Sequence, residues 1–455
     1  MQSPINVLFI VNGFPPANHS GTFRNAAFAR HLPGLGVSLA IVCAEDNDRI
    51  FEYKSLADWH DDPRWLSVQR LPWRLHQPDK RSRLLRALRR LPVGWTVERR
   101  CLRRDVIRRV LPTALEAVAA YHPSVIYASA PPPEALLVAR TVHERTGVPF
   151  VCDLRDPWTY YGWAKYRHWV DFLLERGLER STLSLARRVI VNTPTAGRVL
   201  VTKVGIDPDK VVVLPNGYDE QEFANVGPAD ATAPGRFTIV YTGILAFHEP
   251  RHEPLKGFVK RMLGMDYRPV ENDPNTRSPR WFLEAVQNLL DHSPEWVGRL
   301  RIVFAGSFSS EDRSLFQAFR YPACLEVLPP VSHAEALRLI LQAQLCLLLQ
   351  WEMKVDGRDC SLAVPGKLYD YLRSGTRIFA PMQKGDSQEL IDTFRAGVVV
   401  PPRDVRQIET ALRTEIERWE RGEFGRQSPV PPGLERYERR NLAAELAEIF
   451  RAASA

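Results

Sequence analysis

Short apolar runs alternate with helical patterns in two successive series, and this alternation restricts the fold more than any other feature. In the first series, residues 7–11 and 37–42 have the near-continuous hydrophobicity of buried strands, with an amphipathic stretch over 25–32 between them. A second series begins at Phe237 and contains the further apolar runs 300–306, 345–349, 377–380 and 397–400. Strands that alternate with helices form parallel sheets. The chain is therefore predicted to be α/β, with two Rossmann-like domains.

The composition is that of a globular protein with two cores. The 455 residues exceed one core and suit two domains of roughly 200 residues each. No apolar run reaches the ~18 residues that span a bilayer, and the N-terminus enters a strand without the basic stretch of a secretory signal. The cysteines form no C-x-x-C pair and are expected to be buried, reduced thiols: Cys43, Cys101, Cys152, Cys324, Cys346 and Cys360. These features predict a cytoplasmic protein.

The predicted domain boundary coincides with a turn signal. Asn216-Gly217 favours a turn with positive φ, Asp219 can cap the next helical stretch, and residues 224–235 are rich in Ala, Gly and Pro. We predict an N-terminal domain over 1–225, a linker over 226–235, a C-terminal domain over 236–430 and a C-terminal helix within 431–455. The apolar residues of that helix are Leu442, Leu446, Ile449 and Phe450.

The segment 364–375, V-P-G-K-L-Y-D-Y-L-R-S-G, combines features of a nucleotide site. Small residues lead into an amphipathic run that Gly375 should end, and the free N–H groups of such a helix start attract an anion such as a diphosphate. Asp370, about one turn inside, could accept two hydrogen bonds from a ribose diol. The alternative is an ordinary buried helix with a solvent-facing Asp370.

The same segment resembles the nucleotide-sugar motif of retaining GT-B glycosyltransferases of the family 4-like group, written P-S-K-L-Y-E-Y-L-A-x-G-K-P. In that family the carboxylate at the position of Asp370 binds the donor ribose. Asp replaces the usual Glu here, and Leu362 stands where the E-x7-E version has a second Glu, which the shorter form commonly lacks. The resemblance implies a GT-B fold: two Rossmann-like domains facing a central cleft, with a C-terminal helix that crosses back to the N-terminal domain.

Further N-terminal segments carry this resemblance. Residues 15–24 resemble the P-P-x-x-G-G-x-x-R opening of the family, which lies under the donor diphosphate and beside the acceptor; a plain βα turn is the alternative. Residues 129–134 and 148–159 resemble the S-x-P-P-H and P-W-V-x-D-F-R-D-P-W-T signature of one bacterial subgroup, with Glu134 where His is common. For the cluster Asp153, Arg155 and Asp156, an Arg–Asp pair that orders the loop is the alternative to a role in the reaction.

The resemblance implies three sets of site residues. The predicted catalytic residues are Arg155, Asp156, Arg277 and Lys367. The predicted donor-binding residues are Ser20, Gly21, Gly243, Arg277, Gly366, Lys367 and Asp370. The predicted acceptor-side residues are Arg24, Glu134 and Asp153.

The implied function is transfer of a sugar, with retention of anomeric configuration, from a nucleotide sugar to a lipid-linked, cell-envelope or oligosaccharide acceptor. No cofactor and no metal are expected, since no D-x-D metal motif is evident. Two alternatives remain: a GT-B-fold sugar-nucleotide epimerase, whose usual acid and base residues cannot be located, and an inactive nucleotide-sugar-binding partner protein. The sugar, the nucleotide, the acceptor, the linkage and the oligomeric state are not determined by the sequence.

Two segments depart from the family pattern. The insertion 245–276 in the C-terminal domain is predicted to be a lid or an acceptor-selecting loop. His248 and His252 within it have i,i+4 spacing, but nearby prolines disfavour a metal pair.

The segment 79–110 concentrates arginines around a leucine stripe, with Trp73 and Trp95 flanking it. This pattern predicts peripheral binding to an anionic membrane surface. A solvated helical hairpin is the alternative, and nucleic acid is not an expected partner.

Overall fold

The computed structural model describes residues 4–17, 20–45, 61–73, 94–226, 235–245, 265–423 and 430–455. These residues form two compact units. The first unit comprises the described residues up to 216, together with 265–270 and 439–455. The second unit comprises the described residues of 217–245 and 271–438.

The strands in chain order are β1 (Ile5–Val11), β2 (Val37–Ala44), β3 (Ser67–Leu71), β4 (Val125–Ala130), β5 (Phe150–Leu154), β6 (Tyr166–His168), β7 (Arg188–Val191), β8 (Val211–Val213), β9 (Phe237–Thr242), β10 (Met265–Tyr267), β11 (Val270–Asp273), β12 (Leu300–Ala305), β13 (Leu325–Leu328), β14 (Leu345–Leu347), β15 (Glu352–Val355), β16 (Arg358–Asp359), β17 (Arg377–Pro381) and β18 (Gly397–Val400).

The α-helices are α1 (Ser20–His31), α2 (Gly94–Tyr121), α3 (Glu134–Thr146), α4 (Trp169–Leu185), α5 (Pro194–Val199), α6 (Glu220–Val226), α7 (Arg280–His292), α8 (Ser310–Gln317), α9 (His333–Gln342), α10 (Gly366–Ser374), α11 (Asp386–Thr393), α12 (Val405–Glu420) and α13 (Arg439–Ser454).

The first unit is built on a seven-stranded sheet with the order β3-β2-β1-β4-β5-β7-β8, in which neighbouring strands are parallel. All residues of β4 and β5 are buried, as expected for strands covered by helices on both faces. The strand order reverses between β1 and β4. Such a reversal leaves a crevice at the carboxyl ends of the strands, where ligands bind in open α/β sheets.

The second unit repeats this plan with six parallel strands in the order β13-β12-β9-β14-β17-β18. Its reversal lies between β9 and β14, and every residue of β9 is buried. A small sheet consists of β11, β15 and β16, and its residues from Glu271 onward belong to the same unit. The two sheets confirm the predicted pair of Rossmann-like domains.

The C-terminal helix α13 packs on the sheet of the first unit, which confirms its predicted return. The ring of Phe450 lies 6.2 Å from that of Phe9 and 5.7 Å from that of Tyr127. The four predicted apolar positions, Leu442, Leu446, Ile449 and Phe450, are all buried. The helix starts at Arg439, because residues Leu434–Tyr437 form a 3-10 turn in the second unit.

The unit boundaries differ from the predicted domain limits. The chain enters the second unit at Gly217, directly after β8, whereas the prediction places the change at 225. Residues 227–234 of the predicted linker and 246–264 of the predicted insertion lie outside the described residues, including His248 and His252. The described strand β10 of that insertion pairs antiparallel with β6, so it belongs to the first unit and not to the C-terminal domain.

The cysteines agree with the prediction in part. Cys43, Cys152, Cys324 and Cys346 are buried, and Cys360 is half-buried. Cys101 is exposed because it lies on the solvent side of α2, which corrects the expectation of a buried thiol there.

Candidate functional site

Two glycines bring the loops after β9 and β12 together at the carboxyl edge of the second sheet. Gly243 has φ 105°, and its N–H donates to the carbonyl oxygen of Ala305 over 2.8 Å. A Cβ on Gly306 would lie 2.0 Å from the carbonyl oxygen of Gly243. Glycine is therefore required at Gly306 for the two backbones to approach. Because β9 borders the strand reversal, the backbone of Gly243 lies next to the crevice where a ligand would bind.

Lys367 occupies the same edge. Its ammonium donates to the carbonyl oxygen of Thr242 and lies 4.0 Å from the centre of the Tyr241 ring. A Cβ on Gly243 would lie 3.0 Å from the Lys367 Nζ. Burial lowers the pKa of Lys367, and the charge of Arg277 lowers it further. The fold thus brings together Gly243, Arg277 and Lys367, which are predicted donor-binding residues that lie far apart in the sequence.

Arg277 provides the second positive charge. It ends the 3-10 turn after β11, donates from Nη2 to the carbonyl oxygen of Ile244 over 2.7 Å, and stacks over the ring of Trp351 at 4.7 Å. Its Nε is buried and has no hydrogen-bond partner among the described residues.

The pKa of Tyr241 responds to the positive charges at this edge of the second sheet. Burial alone would raise the pKa of its hydroxyl, but the charges of Lys367 and Arg277 outweigh burial and lower it. The charges of Lys367 and Arg277 thus both act on the buried hydroxyl of Tyr241. Tyr241 and Trp351 are not among the residues predicted from the sequence, because an aromatic residue in β9 or directly before β15 carries no local sign of such a role.

Helix α10 begins at this edge without a side-chain cap. The residue before it is Pro365, which makes no side-chain hydrogen bond to the helix start, and Gly366 is exposed. Gly375, with φ 69°, ends the helix as predicted. Asp370 is 8% exposed in the second turn, and its charge raises the pKa of Lys367, although burial dominates that pKa. The Asp370 carboxylate and the Lys367 ammonium therefore interact electrostatically.

In the first unit, Gly21 lies against Arg155. A Cβ on Gly21 would lie 1.6 Å from the Arg155 Nη1, so the guanidinium would have to move if another residue replaced glycine. The Arg155 Nε lies 3.4 Å from the Asp156 carboxylate, and its backbone N–H donates to the carbonyl oxygen of Ala130 over 3.0 Å. Ser20 begins α1, and its side chain lies outside the described residues. The predicted glycine loop and the predicted Arg–Asp pair therefore meet.

Arg24 and Asp153 form a buried, two-point ion pair. The Nε–Oδ2 and Nη2–Oδ1 distances are 2.8 and 3.2 Å, and Arg24 also donates to the carbonyl oxygens of Leu214 and Pro215, each over 2.8 Å. The hydroxyl of Tyr127 donates to Asp153 over 2.5 Å. These contacts connect α1, β5 and the end of β8 inside the unit. Both side chains are bonded to partners within the unit, and their acceptor-side role stays a prediction.

Glu134 is likewise internal. It is 2% exposed at the start of α3, and its Oε1 accepts from the Nε of Arg103 over 3.2 Å. Arg103 also makes a two-point ion pair with Glu175. The contact of Glu134 with an acceptor stays a prediction, although the side chain is buried.

The basic segment is described only from residue 94, and 79–93 lie outside the described residues. On α2, three arginines spaced by four residues are exposed: Arg100, Arg104 and Arg108. Arg103 instead faces inward. Trp73 is 6% exposed, and the ring of Trp95 packs 5.2 Å from that of Tyr166. Membrane binding by this segment stays a prediction.

The described part of the chain contains neither a membrane-spanning helix nor a metal-binding cluster. In the ranges that the structure describes, no helix is long and apolar enough to cross a bilayer. The same ranges contain no group of three or more His, Cys, Asp or Glu that could hold a metal ion.

Residues 23–217 match the family described as glycosyl transferase 4-like domain. Over nearly its whole length, the structure is similar to a glycosyltransferase from Rickettsia africae, with a TM-score of 0.62, 12% identity and 99% of each chain covered. The chain has the GT-B fold. A UDP-GlcNAc 2-epimerase from Neisseria meningitidis is also similar, with a TM-score of 0.51, 11% identity and 98% of this chain and 100% of the other covered. At such identities the likeness shows the fold alone.

A D-inositol 3-phosphate glycosyltransferase from Kineococcus radiotolerans is 26% identical over 164 residues, which is 34% of this chain. The matched stretch spans 33% of that relative, about a third of its length.

Proposed function

We propose that the chain is a glycosyltransferase that moves a sugar from a nucleotide-diphosphate sugar to an acceptor. The pairing of Lys367 and Arg277 beside the bare backbone of Gly243 carries this proposal. Two cations and an uncapped helix start attract a diphosphate. The family match over 23–217 supports the same activity. Transfer of radiolabel from a sugar nucleotide to a lipid or oligosaccharide extract tests it, after a thermal-shift screen has selected the donor.

In the proposed mechanism, Asp370 holds the donor ribose while Arg277 and Lys367 stabilise the departing diphosphate. Arg155 and Asp156 act on the reacting sugar. Attack from the leaving-group face, with the diphosphate taking the acceptor proton, needs no enzyme nucleophile and retains the anomeric configuration. NMR of the product linkage decides this point, since an inverted anomer contradicts it. Turnover is expected to continue in EDTA.

A sugar-nucleotide epimerase is the second candidate, because the fold is shared with such an enzyme. Conversion of the sugar nucleotide in the absence of any acceptor would identify it. Binding of the donor without either reaction would instead indicate an inactive nucleotide-sugar-binding partner protein.

We further propose that the acceptor is lipid-linked or part of the cell envelope and that the enzyme works on an anionic membrane surface. On α2, Val97, Arg100 and Arg104 share one exposed face, and the N-terminal part of α4 exposes Trp169 and Leu173. The two helix starts adjoin, because the Thr96 hydroxyl donates to Asp171 over 2.6 Å. Exposed apolar residues beside arginines favour an anionic interface.

A further inference from the structure

Helix α4 carries a row of carboxylates on the face that packs into the first unit. Asp171, Glu175 and Glu179 are spaced by four residues, and each is at most 3% exposed. Burying carboxylates is costly unless they are paired or hydrogen-bonded. The hydrogen-bond partners of these three carboxylates therefore show which segments α4 holds in place.

Two of these carboxylates bind the loop that comes after β5. Glu179 Oε2 accepts from the backbone N–H of Thr159 over 3.3 Å and also from its hydroxyl. Glu175 Oε1 accepts from the indole N–H of Trp158 over 2.6 Å. Trp158 and Thr159 come directly after Arg155, Asp156 and a proline.

The loop is thus held on both sides of the Arg155–Asp156 pair. On one side, the Arg155 N–H is bonded to the carbonyl oxygen of Ala130 at the end of β4. On the other side, the two carboxylates of α4 hold Trp158 and Thr159. Since only these few residues lie between the two attachments, the position of the pair depends on both.

The buried charged groups on and around α4 include more carboxylates than guanidinium groups. Four buried carboxylates, Glu134, Asp171, Glu175 and Glu179, accompany one buried guanidinium, that of Arg103. One oxygen of each of Glu134, Asp171 and Glu179 has no hydrogen-bond partner among the described residues. Burial raises the pKa of Glu179 to about 7.

We propose that Glu175 and Glu179 are positioning residues, which hold Trp158 and Thr159 and thereby set the geometry of Arg155 and Asp156 for the reaction. This inference rests on the proposed function. Titratable or charged groups also lie on the elements packed against α4: Arg103 on α2, Glu134 and Arg140 on α3, Tyr166 on β6, Lys203 in the turn 200–204 and Asp266 on β10. When Glu179 loses its proton near pH 7, the loop should open more readily, because an exposed glutamate ionises at lower pH.

The first test needs no substrate. Hydrogen exchange of the peptide that covers Arg155–Tyr161 is measured in the wild type, Glu179→Ala, Glu179→Gln and the exposed control Glu116→Gln. We expect at least tenfold faster exchange in Glu179→Ala, and wild-type exchange in the other two at pH 6, because glutamine still accepts from Thr159. Unchanged exchange in Glu179→Ala overturns the proposal, whether or not the protein transfers sugar.

The second test uses the transfer reaction. Glu179→Ala should lower kcat 10- to 100-fold with an unchanged KM for the donor, and Glu179→Gln should restore kcat. An unchanged kcat in Glu179→Ala overturns the positioning role. If Glu179→Ala does not fold, the pH profile of loop exchange decides: protection should fall above about pH 7 in the wild type and not in Glu179→Gln, and identical profiles overturn the proposal.

Discussion

At the scale of single residues, the candidate donor site is distinguished by how closely its cations approach neighbouring groups, and not by the residue types alone. Lysine and arginine are common on protein surfaces, but Lys367 and Arg277 act together on one buried tyrosine because Gly243 leaves room for the ammonium. The same principle applies to Gly21 and Arg155 in the first unit. In both places, a cation occupies the space where a larger residue would have its side chain.

Gly243→Ala is expected to lower both stability and donor affinity. The added Cβ would lie 3.0 Å from the Lys367 Nζ, and φ 105° is unfavourable for alanine. Backbone strain of this kind costs about 1–3 kcal/mol. Urea denaturation and a donor titration measure the two effects. Gly298→Ala is the matched control, since no atom lies within 4 Å of its added Cβ, and equal effects of both variants would contradict the assignment.

Asp370→Ala is expected to weaken donor binding by roughly 10- to 150-fold, because loss of a charge-assisted hydrogen bond costs about 1.5–3 kcal/mol. Isothermal titration with the donor selected by thermal shift measures the dissociation constant. Asp392→Ala, on the exposed side of α11, should bind like the wild type. A dissociation constant unchanged in Asp370→Ala would remove Asp370 from the site.

The raised pKa of Glu179 predicts how the free energy of unfolding depends on pH. Burial raises its pKa from 4.5 to about 7, so the folded protein keeps a proton that the unfolded chain has lost. The stability contribution is full below about pH 4.5 and is lost as the pH rises through 7, which amounts to about 3 kcal/mol. Relative to the wild type, Glu179→Gln should lack this decline between about pH 5 and 8. Denaturation at several pH values measures it, with Glu116→Gln expected to keep the wild-type slope.

At the scale of elements, the last helix of the chain completes the first core. Helix α13 comes after the entire second unit in sequence, yet its apolar face covers β1 and β4 of the first sheet. The pattern of this face is visible in the sequence, whereas the surface that it covers was expected only from the resemblance to a known fold. The first unit is therefore incomplete without residues 439–455.

Phe450→Ala is expected to destabilise the first unit by about 3–5 kcal/mol, because it leaves a cavity beside the packed rings of Phe9 and Tyr127. Chemical denaturation followed by intrinsic fluorescence measures the loss. Leu185→Ala, at the exposed end of α4, should change stability by no more than about 0.5 kcal/mol. A loss that is equally small for Phe450→Ala would show that α13 does not support this core.

At the scale of the whole molecule, repetition of one sheet plan divides the chain into two units with distinct candidate sites. The second unit holds the paired cations, and the first holds the Arg155–Asp156 loop and the exposed arginines of α2. The proposed membrane association belongs to the scale of the whole molecule, because it would depend on the sum of many weak surface contacts.

The protein is expected to sediment with anionic vesicles at low salt and to remain in solution near 1 M salt, where the screening length is about 3 Å. Each engaged arginine contributes about 1 kcal/mol at an anionic surface. Arg100→Glu combined with Arg104→Glu should reduce sedimentation strongly, whereas Arg313→Glu combined with Arg406→Glu, exposed in the second unit, should not. Equal absence of binding to anionic and neutral vesicles would favour a soluble acceptor.

The sequence by itself determined the α/β class, the two series of strands, the glycine end of α10 and the apolar face of α13. These features depend on local periodicity and on turn residues, which neighbouring positions are sufficient to define. The motif resemblance identified Gly21, Arg155, Arg277, Lys367 and Asp370 as candidates, whose catalytic and binding roles stay predictions.

Only the tertiary structure decided which charges face inward. Arg103 sits in a run of arginines and is locally indistinguishable from Arg104, yet it is buried against Glu134 and Glu175. The pairing of Arg24 with Asp153 and the addition of β10 to the first unit likewise join residues that are about a hundred or more positions apart. Burial and electrostatic partners depend on such long-range contacts, and a local pattern holds no information about them until the chain has folded.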